Sequence, residues 1–193
     1  GHTMPFTGFT SEAGEFLWEL AFHNEKPWFE AHREQFLRAV KEPFDALAKE
    51  TLALMQDKHP DEPYCLHISR IYRDARRLFG RGPYKDHLWF TLWTGEDRHN
   101  SPVFWFELSP ASYSYGVGFY TATAEQMAAL RRYIDANPAE MERLAKRVAK
   151  SEFHLEGEPY KRLKKDVGEV LNPWYNRKWI SLCAEYDHGG ALY

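Results

Sequence analysis

The chain lacks the short signatures that announce most hydrolytic and nucleotide-driven chemistry. It has no HExxH pair, no GxxxxGK[ST] loop and no GxSxG elbow, which removes the helix-borne zinc peptidases, the P-loop nucleoside triphosphatases and the α/β-hydrolase nucleophile. Only Cys65 and Cys183 are present, too few for a disulfide framework, and this usage points to a reducing compartment, the cytoplasm. No apolar run approaches the roughly 20 residues that span a bilayer, and no signal peptide opens the chain; membrane attachment is not expected. Gly1–Thr3, before Met4, read as a cloning remnant, so His2 is set aside and one α+β domain over 4–193 is expected. The other histidines form no tight ligand pair on a helix. His67 and His87 would meet only if their strands are neighbours, and no third ligand can be named, so no metal is assigned. No cofactor is implied either. Gly116-Val117-Gly118 is a lone GxG inside a strand pattern; without a third glycine and a βαβ unit it reads as a bulge or a close approach.

What is present is aromatic side chain, 16% of the residues, enough to dominate a core or to line a groove. Charge is the other feature. The total is −3, yet Arg70–Lys85 holds six basic residues and one acid, so that stretch stands at +5 and the remainder at −8. A local positive patch on an acidic body suits a small anion better than nucleic acid.

Periodicity supplies the architecture. Phe16, Leu17, Leu20 and Ala21 repeat at helical spacing behind Thr10 or Ser11, and Asn24 can end that helix or cap the next. Phe29, Phe36, Val40, Phe44, Leu47 and Leu54 mark a second helical stretch, with Pro27 in a first turn and Pro43 expected to kink or break it. From Tyr64 the period becomes two. "YCLHISRIYR", "YKDHLWFTLWT", "PVFWFELS" and "SYSYGVGFYT" read as strands, the last three joined by short turns into an antiparallel meander. Two helices follow, the first with Met127, Leu130 and Ile134 on one face, the second with Met141, Leu144 and Val148 on one face. "WISLCAEYD" can close the sheet. The expected fold is α+β, an antiparallel sheet of four to six strands packed with helices.

"IYRDARRLFGRGPYKDH", Ile71–His87, holds the candidate site. Arg70 shares the parity of Leu66, Ile68 and Tyr72, a core-facing row, where a guanidinium needs a carboxylate such as Glu107 or Asp74. Arg73 and Arg76 flank Asp74 and present planar forks that match carboxylate or phosphate. Gly80 and Gly82 can turn several N–H groups toward one anion. Tyr84 and Lys85 follow Pro83, and Lys85 shares a side with His87, Trp89 and Trp93. Arg77 and Arg81 read as solvated turn charges. Candidate ligand-binding residues are thus Arg70, Arg73, Asp74, Arg76, Tyr84 and Lys85; His87 and Glu107 are the first candidates for any proton transfer on the same sheet face. Three readings stand: a small-anion site, an interaction domain whose arginine bend is structural, and a stacking platform for nucleic acid. Whether the chain is an enzyme, and in what oligomeric state it works, the residues do not say.

Three stretches, "FTGFTSEAGEFLWELAFHNEKPWFEAHREQF", "IYRDARRLFGRGPYKDH" and "GVGFYTATAEQMAALRRYI", together resemble the bacterial and fungal family of domain of unknown function 2461. The family pattern has an FxGF opening, an NNxxWF helix start, an RDxRFSKDKxPYK segment and a GGxYxP element before a helix. The counterparts here are Phe6–Phe9, His23–Phe29, Arg73–Lys85 and Gly116–Arg131. The resemblance implies no reaction or cofactor. It does place Arg73, Asp74, Arg76, Pro83, Tyr84 and Lys85 at signature positions, while Arg77–Arg81, "RLFGR", departs from the family's FSKDK.

Overall fold

The computed structural model describes residues 5–95, 101–119, 124–189 and 192–193. Helices α1 (Ser11–Phe22), α2 (Lys26–Ala31) and α3 (Arg33–Phe36) lead through a π-helical turn, Leu37–Lys41, into α4 (Glu42–Lys58). Strands β1 (Tyr64–Ile68), β2 (Leu88–Thr94), β3 (Pro102–Leu108) and β4 (Ser112–Phe119) come next. Then follow α5 (Ala124–Ala136), α6 (Pro138–Ala149), β5 (His154–Glu156), α7 (Asn172–Tyr175) and β6 (Ser181–Asp187). The fold is α+β, with a six-stranded antiparallel sheet in the order β1-β2-β3-β4-β6-β5. The meander and the closing strand are where the alternating pattern put them; β5, three residues long, is too short to show a period. Residues 96–100 and 120–123, where the sequence reading put a turn, the end of a strand and the beginning of a helix, lie outside the described residues.

Pro43 does not stop the helix. It has no N–H for the carbonyl of Ala39, and its ring crowds that carbonyl. The chain widens the preceding turn instead, with the N–H of Glu42 bonded to the carbonyl of Leu37, and α4 continues.

By compactness the chain forms two units, the first made of 1–92, 105–114 and 185–193, the second of 93–104 and 115–184. In the first, Leu88, Phe90 and Leu92 alternate inward and are essentially fully buried, as are Phe16, Leu17, Leu20 and Phe44. Phe44 meets Phe90 edge-on at 5.6 Å and Phe106 at 6.1 Å, which docks α4 onto the inner face of the strands.

The alternation of β1 fails after Ile68, and this corrects the inward placement of Arg70. Ser69 donates its N–H to the carbonyl of Trp89 (2.8 Å). The return bond, from the N–H of Trp89, goes to Ser69 Oγ (2.9 Å) in place of a backbone carbonyl. The ladder is interrupted, the buried row shifts to Ser69 and Ile71, and Arg70 and Tyr72 turn out to solvent.

The second unit packs Met127, Ile134, Met141, Trp174, Tyr175 and Ile180 into its own core. Its loop 157–178 is organised by Asn176, which is only 4% exposed. The Asn176 carbonyl oxygen accepts from the N–H groups of Lys164 (2.8 Å) and Lys165 (3.3 Å), and its amide donates to the carbonyl of Lys165 (3.0 Å). Gly118 marks a close approach: a Cβ there would lie 2.6 Å from the Cβ of Ser181 and 3.0 Å from its Cα.

Candidate functional site

The arginine segment is a loop whose ends are tied together. Tyr72 and Tyr84 form an antiparallel bridge, the N–H of Arg73 donates to the carbonyl of Pro83 (2.8 Å), and the N–H of Lys85 donates to that of Ile71 (2.7 Å). Asn24 clamps the base of the loop to the helices. Its side-chain amide donates to the carbonyl of Tyr84 (2.7 Å) and its oxygen accepts from the N–H of Tyr84 (2.9 Å), so one side chain replaces a strand partner. Gly82 leaves the room for this: a Cβ there would collide with the Asn24 side chain. Gly82 therefore admits a side chain rather than aiming N–H groups outward. Gly80, with φ +81°, sits in the left-handed region, and the N–H of Arg81 behind it is spent on the carbonyl of Leu78 (2.9 Å).

The structure separates the predicted residues. Tyr84 is 2% exposed and stacks on Phe29 at a centroid distance of 4.2 Å, and burial pushes its phenol above the ordinary tyrosine range. It anchors the loop and does not line a site. Asp74 caps a 3₁₀ turn, Ala75–Arg77, accepting from the N–H of Arg76 (3.0 Å). The Arg76 guanidinium folds back on the same carboxylate, Nε at 3.2 Å and Nη2 at 3.1 Å. These bonds to Arg76, side chain first, hold the Asp74 carboxyl below the usual carboxylate range. Arg81 is also used locally, donating to the carbonyls of Leu78 (3.1 Å) and Arg77 (2.9 Å).

Arg70, Arg73 and Lys85 come together. They line an open depression of about 410 Å³ with Tyr72, Asp74 and Trp89. The Lys85 ammonium donates to the carbonyl of Arg70 (2.8 Å) and lies 4.3 Å from the centroid of the Trp89 ring. Arg73 Nη1 donates to the carbonyl of Gly82 (3.1 Å). Burial first, and then the charge of Arg73, lowers the pKa of Lys85. Among the described residues none of the three cations has a carboxylate partner; Asp74, the acid beside them, is taken up by Arg76. Two cations that feel each other without a counter-ion favour an added anion, which relieves both the repulsion and the desolvation.

His87 and Glu107 are not brought to this depression. His87 Nδ1 lies 3.0 Å from the Asp86 carboxylate and its ring stacks beside Trp89 at 5.7 Å. Glu107 stands half-buried on β3, and no hydrogen bond or ion pair joins it to His87 or to Arg70 among the described residues. No group of three His, Cys, Asp or Glu side chains suited to a metal ion occurs among the described residues.

Asn24 is the residue that the periodicity missed. It was legible only as a helix-end polar residue, although it falls in the "HNEKPWF" stretch that carries the family likeness. Compared with known proteins, residues 12–187 match the model of a family described as conserved hypothetical protein, domain of unknown function 2461. No curated protein matches the chain.

Proposed function

Since the chain belongs to the family of conserved hypothetical proteins of domain of unknown function 2461, whose description specifies no activity, we propose its function from the geometry: it binds a small oxyanion, a phosphoryl or carboxylate group, between Arg73, Lys85 and Arg70. The observation that carries this reading is the gathering of Arg70, Arg73 and Lys85 around one depression with no carboxylate partner for any of them among the described residues; the lowered pKa of Lys85, through burial and then the charge of Arg73, agrees with it. Arg73 would supply its free guanidinium edge, Lys85 a point charge already directed by Trp89 and the Arg70 carbonyl, and Arg70 the outer wall. Asp74 would act indirectly, by holding Arg76 away from the anion.

Thermal shift at constant ionic strength tests it with phosphate, sulfate, nucleoside monophosphates and small organic acids. An anion present at ten times its Kd stabilises the folded state by about 1.4 kcal/mol. Arg73→Gln and Lys85→Gln should abolish the shift and Arg76→Gln should keep it. No shift with any anion, or a shift lost only in Arg76→Gln, rejects the site. The structural reading of the loop remains apt for Arg76 and Arg81, whose bonds close turns. An interaction surface at the loop tip has one observation in its favour: Phe79 is 84% exposed at φ +50°.

A further inference from the structure

The same strand segment borders a second, smaller cavity, about 280 Å³, between residues 68–72 and the run from α2 to the π-helical turn. Its floor is apolar: Phe29, Phe36 and Ile71 are each at least 95% buried. Phe29 and Phe36 lie 5.2 Å apart, so the floor is a pair of phenyl rings with Leu37 at the mouth. Leu37 and Lys41, four residues apart in the π-helical turn, both border this mouth.

The rim is cationic, but its cations are not equally committed. Lys41 is held by Asp45 at 2.6 Å. Arg33 reaches Glu30 only at 3.7 Å and is half exposed. Arg70 has no carboxylate partner among the described residues and borders this cavity as well as the open depression. The backbone adds donors. Ser69, Ile71 and Arg73 spend their ladder groups on the neighbouring segment 83–89. Strand geometry turns the N–H groups of Arg70 and Tyr72 to the opposite edge, where they have no partner among the described residues. An apolar floor whose border carries Arg33, Arg70 and an unpaired stretch of strand edge is complementary to one kind of ligand, an apolar tail that ends in a carboxylate.

We infer that this cavity binds a short apolar monocarboxylate, its tail on Phe29 and Phe36 and its carboxylate at Arg33, Arg70 and the strand edge. A cavity this small fits a chain of roughly six to eight carbons, at the lower end of the range for ligand pockets. The site goes beyond the oxyanion depression and shares with it only the strand segment carrying Arg70.

Titration calorimetry at fixed ionic strength with acetate, butanoate, hexanoate and neutral hexanamide tests it. Affinity should rise roughly fourfold for each buried methylene from butanoate to hexanoate, and hexanamide should bind at least tenfold more weakly than hexanoate. Arg33→Gln and Leu37→Ser change exposed positions and should leave the fold intact. Each should weaken hexanoate severalfold while leaving phosphate binding at the depression unchanged, since neither residue lines it. Hexanoate that does not bind, binds no tighter than acetate, binds no better than hexanamide, or is indifferent to both substitutions overturns the proposal. Hexanoate binding that is lost in Arg33→Gln, with no anion bound through Arg73 and Lys85, rejects only the oxyanion reading; anion binding lost in Arg73→Gln, with no gain in affinity from acetate to hexanoate, rejects only this one.

Discussion

At the residue scale, the geometry divides six predicted ligand residues by what each already holds. Arg76 holds Asp74, and Tyr84 holds Phe29 and Asn24. Arg73 and Lys85 hold only carbonyls and a ring face. Asn24 has a consequence for stability. Replacing it by Ala leaves the N–H and carbonyl of Tyr84 unpaired in a part-buried place, a loss of about 1–3 kcal/mol. Urea unfolding should show this as a lower midpoint at unchanged slope, and sulfate affinity should fall with it, because the loop that carries Arg73 is no longer tied down.

Lys85 sets a pH dependence. Its pKa in the folded chain lies below the unfolded value, through burial and then the charge of Arg73. The unfolded chain therefore holds the proton more tightly, and this residue's contribution to stability rises as pH climbs from the folded pKa toward the unfolded one. An anion reverses the balance, since it favours the ammonium. Sulfate affinity should fall as pH rises through the depressed Lys85 pKa, with proton uptake on binding. Calorimetry in buffers of differing ionisation enthalpy reads that uptake. The parity that put Lys85 beside Trp89 was visible in the sequence. The division of Asp74 between two arginines was not, because both lie within two positions of it and only the 3₁₀ turn decides between them.

At the scale of elements, the sheet was legible wherever one face was consistently apolar. Leu88, Phe90 and Leu92 could be read by alternation alone. Alternation misled at Arg70 because a single side-chain oxygen, Ser69 Oγ, replaced one backbone acceptor and shifted the row by one residue. Pro43 announced a disturbance in the helix, and its form, a widened turn rather than a stop, depended on packing that periodicity does not encode. The pairing of β4 with β6 gives a separate expectation. Gly118→Ala forces a methyl group against Ser181 of the neighbouring strand, both its Cβ and its Cα. The cost should be about 1–3 kcal/mol, read as a lower melting temperature. Gly80→Ala, which meets open space, should lose only about 1–2 kcal/mol through its left-handed backbone.

At the scale of the whole molecule, neither compact unit is continuous in sequence: the first is assembled from three stretches and the second from two. Strands β2, β3, β4 and β6 each contribute residues to both units, so a unit cannot unfold without pulling on strands that the other uses. Scanning calorimetry should show one transition with equal calorimetric and van't Hoff enthalpies; two resolved transitions would mean that the units unfold independently. The charge distribution acts at the same scale. With Arg70–Lys85 at +5 and the remainder of the chain at −8, a long polyanion meets repulsion beyond the patch that an inorganic ion does not. A mobility shift with DNA should be absent even at about 50 mM salt, where phosphate contacts are strong. The oxyanion reading rests on where an ion settles when one is offered. A crystal grown in sulfate answers this directly: the ion should lie between the Arg73 guanidinium and the Lys85 ammonium, beside Arg70. Sulfate bound at Arg76 or Arg77 with the depression empty would contradict the reading.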